Sequence, residues 1–246
     1  MHKYNKMKGK ILIPGNSPAA VPSNPLTISA VRKMGCLKTS NPFRLIGYVL
    51  ILCVARLVLV GCTTNSWSKG ELAIIDDAVA PMRVLTIDNP ADSAILRTPC
   101  TDLTPEMLAS PEYAALATLM VATVTDPSED GVGIAGPQVG ISRRIVAVQR
   151  FDKPGEPFEV YPNIRIIATR GDLCPGPEGC LSVPGRRGTV LRYRDIDIQY
   201  TLVSPSGVSS ASGALRDTIE RVQGFTAVIF QHECDHLDGI LYIDRI

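Results

Sequence analysis

From about residue 80 onward, the spacing of apolar positions changes from segment to segment, and each change marks an element. Met82–Ile87 reads as a strand. Thr104-Pro105-Glu106 then supplies an N-cap followed by proline at the first helical position, opening an apolar-periodic helix that runs to about 124. Strands are expected at Arg144–Phe151, Phe158–Tyr161, Ile164–Thr169, Thr189–Arg192 and Asp195–Thr201. The last of these alternates polar and apolar residues, the period of a half-buried strand. The short polar connections between the strands imply mostly antiparallel pairing. A final helix from about 220 to 238 is closed by Gly239. The pattern describes one α+β domain over 81–246, its strands packed around a C-terminal helix, with a linker at 63–80.

The N-terminal 62 residues follow another pattern. Residues 1–44 are rich in Pro, Ser, Asn, Lys and Arg without sustained apolar period, and read as a basic leader. Residues 45–61 form an apolar run broken only by Arg56. That length suits a signal-peptide core better than a full membrane span. The run ends in Leu59-Val60-Gly61-Cys62, which resembles the lipobox of bacterial lipoproteins and makes Cys62 the candidate lipidation site. Such a lipid would attach the protein to a membrane surface. The other readings are an uncleaved anchor and an over-long start, the second of which leaves the protein in the cytoplasm.

Composition narrows the function little. With 45% hydrophobic residues, 20% charged residues and a formal net charge of +1, the chain carries no basic field that would signal nucleic acid. Its seven cysteines are unevenly spaced and odd in number, unlike a disulfide framework. Histidine is more informative. Of only three, His232 and His236 lie four residues apart.

On the predicted last helix, Phe225, Val228, Ile229, His232 and His236 share one stripe. Two imidazoles at this spacing can reach one metal ion, with Glu233 directed at a bound water. The ten residues after His236 hold no His or Cys, so the third ligand is expected upstream. Cys180 is the strongest candidate. It lies in Glu178-Gly179-Cys180-Leu181-Ser182, where a glycine-permitted turn could present a thiolate and the following backbone N–H together. A third segment, residues 131–138, is glycine-rich and ends Pro137-Gln138, and it lacks the lysine or directly following helix of a phosphate loop. By itself it reads as a flexible turn before a strand.

Taken together and in order, these three segments resemble the peptide deformylase family, which carries a glycine-rich motif ending in glutamine, then Glu-Gly-Cys-Leu-Ser, then His-Glu-x-x-His. The resemblance spans roughly residues 82–246. It implies that Cys180, His232 and His236 hold a divalent metal, Fe2+ in the first place with Zn2+ or Ni2+ as alternatives. It implies Glu233 as acid/base, with the Gln138 amide and the Leu181 backbone N–H as oxyanion donors. The substrate would be a formyl-methionine peptide of a nascent chain, hydrolysed to formate and a free N-terminus. Val132, Gly133, Ile134, Gly179, Phe225, Val228 and Ile229 are the expected pocket walls, and Arg187 is expected to contact the peptide beyond its first residue. The family usually has Ala-Ala where this chain has Ala135-Gly136, which predicts a looser strand beside the site. Three other readings stand beside this one: a membrane-attached peptidase or amidase with the same centre, an inactive deformylase-like lipoprotein, and a zinc-stabilised structural domain.

Overall fold

The computed structural model describes residues 66–129, 131–203 and 216–246. The leader, its apolar run and Cys62 lie outside the described residues. No helix among the described residues is long and apolar enough to cross a membrane.

Within the stretch expected to be a linker lies a helix, α1 (Lys69–Asp77), started by a capping box. The Ser68 Oγ accepts from Glu71 N at 3.2 Å while the Glu71 carboxylate accepts from Ser68 N at 2.8 Å. Met82–Thr86 has no regular structure and Ile87 begins a turn, so Met82–Ile87 forms no strand, a correction to the expectation. Its backbone instead ties separate loops together, with Leu85 N donating to Gln138 O at 2.7 Å and Ile87 N to Ser182 O at 3.0 Å. A short helix, α2 (Pro90–Leu96), follows.

The single helix expected over 105–124 is two: α3 (Pro105–Leu108) and α4 (Pro111–Val124). Proline at 111 cannot donate into a continuing helix, and Ser110 instead caps the new one by accepting from Tyr113 N at 3.3 Å. Helix α4 buries Tyr113, Leu116, Met120 and Val124 on one face.

Three antiparallel sheets follow. The first joins β1 (Gly133–Ala135), β2 (Ile145–Gln149) and β3 (Phe158–Pro162) in that order. The second places β7 (Asp195–Leu202) between β4 (Arg165–Arg170) and β8 (Arg216–Gln223). The third pairs β5 (Cys174–Cys180) with β6 (Val183–Arg192). The last helix, α5, runs from Gly224 to Leu237, so residues 220–223 belong to β8 rather than to the helix. Helix α5 is buried on nearly all sides, with Ala227, Phe230 and Leu237 in the core beside Val146, Val148, Ile196 and Ile198. A second core lies between α1, α4 and the β1–β2 pair. The chemistry-bearing helix is therefore held rigidly from several directions.

Beneath α5 sits an arginine that no pattern announced. Arg150, 1% exposed, donates to Asp152 at 2.7 and 2.8 Å, to Glu220 at 2.6 Å and to Tyr161 Oη. Its guanidinium lies 5.7 Å from the centre of the Phe230 ring. Replacing Arg150 by methionine should cost about 2 kcal/mol in urea unfolding at pH 7. This is below the roughly 3–5 kcal/mol of a fully buried pair, because Asp152, Glu220 and a third carboxylate, Glu159 at 3.3 Å, keep 25–34% of their surface in water. The hydrogen bonds from Arg150 hold the Asp152 carboxyl below its ordinary range. That stabilisation is complete above the usual carboxylate pKa near ~4 and fades as pH falls below it, so the penalty in the variant shrinks in acid.

Candidate metal centre

Two chain segments bring the donors together. Helical spacing on α5 stacks His232 and His236 on one face, their ring centres 5.2 Å apart. The β5–β6 hairpin brings Cys180 against them, its register shifting between Gly179 and Cys180. The Cys180 Sγ lies 3.2 Å from His236 Nε2, and one donor atom from each of the three residues falls within 4.8 Å of the others. Tetrahedral ligands at ordinary bond lengths of ~2.0–2.3 Å stand about 3.5 Å apart, so a small contraction closes the set on one ion. Cys100 and Cys234 do not compete for this role, because burial pushes both thiols up to about 12.

The two imidazoles are shifted in opposite directions. Burial disfavours charge on His232, yet hydrogen bonds with Cys180 and Glu178 outweigh it and raise its pKa to about 10. Burial and the charge on His232 push His236 the other way, well below its ordinary value, so the pair shares one proton, and a divalent ion would take that proton's place. Thiolate with imidazole suits iron, nickel and zinc alike.

Behind the ligands runs a chain of alternating charges whose members the sequence reading did not single out as site residues. His232 Nδ1 lies 2.8 Å from Glu178 Oε2, which fixes the ring and leaves Nε2 for the centre. Glu178 is clamped by two bonds from Arg192, at 2.8 and 3.0 Å, and Arg192 reaches on to Asp235 at 2.6 Å. All three are buried. These contacts outweigh burial and hold the Glu178 carboxyl down at about 2. Glu178→Gln should keep the fold and weaken metal binding about tenfold, read by competition with a chelator.

Glu233 is 3% exposed, and one of its oxygens has no partner. Burial pushes its pKa up to about 7. The other oxygen would lie 2.4 Å from a Cβ at Gly133, so any side chain there would have to displace this carboxylate. Gln138 is fixed at both ends of its amide. Its Oε1 accepts from Ala135 N at 2.8 Å, while its Nε2 donates to Ser182 Oγ at 3.2 Å and lies 3.7 Å from Cys180 Sγ.

These groups line a cleft of about 700 Å³, a volume suited to a small ligand or a few peptide residues. Its walls include the expected Val132, Gly133, Gly179, Arg187, Phe225, Val228 and Ile229 and the oxyanion candidate Leu181, together with Glu129, Pro177 and Arg186, which the sequence reading missed. Ile134 is a correction. Strand alternation turns it to the other face of β1, where it is fully buried against α4. The expectation of a loose strand at Gly136 is also revised. A Cβ there would stand 2.7 Å from Ile141 O and 2.8 Å from Arg143 O, so this glycine permits a tight closure.

A family model described as polypeptide deformylase matches residues 81–246. A peptide deformylase of Roseiflexus sp. (strain RS-1) is 36% identical over 182 residues, covering 68% of this chain and 90% of that protein. Peptide deformylase 2 of Nostoc sp. (strain PCC 7120 / SAG 25.82 / UTEX 2576) is 41% identical over 133 residues, 52% of this chain and 68% of that one. Among solved structures, the class I type b peptide deformylase of Acinetobacter baumannii bound to Met-Ala-Ser aligns with a TM-score of 0.55 and 34% identity, covering 69% of this chain and 100% of that one.

Proposed function

The chain belongs to the polypeptide deformylase family, whose reaction removes the formyl group from formyl-methionine peptides, and on that premise we propose how its own residues carry the reaction out. Cys180, His232 and His236 would hold the metal, and Fe2+ is the ion proposed. A divalent cation bound there supplies a Lewis acid beside the scissile carbonyl and lowers the pKa of water. Glu233 takes the proton of the attacking water. As negative charge grows on the formyl oxygen, Gln138 Nε2 and the Leu181 backbone N–H donate to it, each contributing about 3 kcal/mol in a dry site. Glu233 then returns the proton to the departing amine nitrogen. Formate and a free methionine amine are released.

The peptide has a seat that follows from the topology. Among the described residues β1 pairs only with β2, and β5 only with β6, so each presents an unpaired edge, and both strands line the cleft. An extended substrate between these edges gains main-chain hydrogen bonds, while Phe225, Val228 and Ile229 receive its first side chain. The Acinetobacter baumannii neighbour binds Met-Ala-Ser, a peptide of this form. Arg187 lies at the cleft and has no ion pair among the described residues, which leaves it available to the chain beyond methionine. The amidase and inactive-lipoprotein readings draw no support from the relatives named above. Lipidation of Cys62 rests on the sequence alone, and the intact mass of the membrane-fraction protein decides it.

The convergence of Cys180, His232 and His236 with Glu233 carries this reading. Protein prepared without oxygen and loaded separately with Fe2+, Ni2+ and Zn2+ tests it. Turnover of a formyl-Met tripeptide should be fastest with iron or nickel and fall on exposure of the iron form to air, as Cys180 oxidises. Equal, air-stable turnover with all three ions would remove the assignment of iron.

A further inference from the structure

Residues 66–77 precede the span that the family model matches, yet they pack against the loop that carries Gln138. Helix α1 rests on the turn that carries Gln138, a 3-10 turn over Gly136–Val139. The Ile74 Cδ1 lies 3.1 Å from the place of a Cβ at Gly140, the residue that caps this turn with φ +83°. The Glu71 carboxylate meets Arg143 through bonds of 2.6 and 2.9 Å, and both side chains are buried. Arg143 in turn closes the loop that begins at Gly136. Ile141 N donates to Gly136 O at 2.9 Å, and the Arg143 carbonyl presses against Gly136 where only a hydrogen fits. Gln138 and Arg143 therefore belong to one closed loop, gripped from outside by Glu71.

We propose that Glu71 is a positioning residue for the reaction, acting through Arg143 to fix the Gly136–Arg143 loop and so to hold the Gln138 amide over Cys180. The proposal rests on the role of Gln138 as oxyanion donor given above. Gln138 carries its amide on this loop, so a displacement of the loop pulls the amide away from the bonds with Ala135 N and Ser182 Oγ that aim it. A displacement of order 1 Å at such a donor can cost up to ~100-fold in rate. Losing Glu71 also leaves the Arg143 charge buried without its counter-ion, which drives the loop to rearrange.

A double-mutant cycle on the full, metal-loaded chain tests this, with formate release and metal content as readouts. Gln138→Ala alone should lower kcat about 100-fold. Glu71→Gln alone should lower kcat about tenfold with KM and metal content unchanged, and Glu71→Asp should recover part of the loss. In the Gln138→Ala background, Glu71→Gln should add less than about twofold, because the group it positions is gone. The same factor in both backgrounds, or no effect of Glu71→Gln, overturns the proposal while the deformylase reading stands. Turnover that does not depend on Gln138 overturns the proposal together with the oxyanion role of Gln138, whereas no formate release from the metal-loaded wild type overturns the deformylase reading itself. If Glu71→Gln fails to fold, Ile74→Ala takes its place in the cycle, loosening the packing of α1 on the same loop at Gly140 without stranding a charge.

Discussion

Glu233→Gln is expected to keep the full metal complement and lower formate release about 10³-fold. The amide matches the carboxylate in shape and cannot accept the proton of the attacking water. In the wild type, burial raises the Glu233 pKa to about 7, so protonation in acid disables the base. Activity should accordingly climb with pH and reach its plateau above about 7, and the variant should lose this limb. Metal analysis alongside the kinetics separates the roles. Loss of the ion in the variant would make Glu233 a ligand, and retained turnover would remove it from the chemistry.

The second large effect belongs to a residue with no functional group. Gly133→Ala places a methyl 2.4 Å from Glu233 Oε1 and 2.9 Å from Ile229 Cγ2. Neither neighbour can yield easily, since Glu233 and Ile229 sit on a helix buried on nearly all sides. Either the carboxylate turns away or β1 moves off α5. Loss of about 100-fold in kcat/KM follows with the metal retained, together with an overpacking penalty of about 2 kcal/mol in denaturant unfolding. Wild-type kinetics in this variant would mean that the acid/base is not held where the structure puts it.

Much of the fold was legible because its signals are local. The alternation in Asp195–Thr201 reports a strand with Ile196 and Ile198 buried, and the i, i+4 histidines report one helix face. Strand β5 was missed because Cys-Pro-Gly-Pro-Glu-Gly-Cys carries no alternation. Its extension is imposed by the pairing with β6. Strand β8 was missed because its residues are mostly polar and only Val222 is buried. Helix α1 had a readable start in Ser68-Lys69-Gly70-Glu71, but its anchor is Arg143, 72 residues away. The site divides in the same way. The metal-reaching residues announce themselves by spacing and residue type, whereas Arg192 and Asp235 gain their roles only when a hairpin is laid against α5. Glu178 stood in plain view within a recognised motif, and nothing in the order of residues says that it grips His232. Ile134 was misplaced by treating a three-residue strand as if both its faces met the cleft.

The central claim is that this Cys-His-His cluster, with Glu233 beside it, is a deformylase centre. The most direct test is formate release from a formyl-methionine tripeptide by the full chain prepared without oxygen, with the bound metal quantified in the same sample. The account predicts formate equal to the free methionine amines formed, and loss of both metal and turnover in Cys180→Ser. A sample carrying its full metal complement that releases no formate would contradict it.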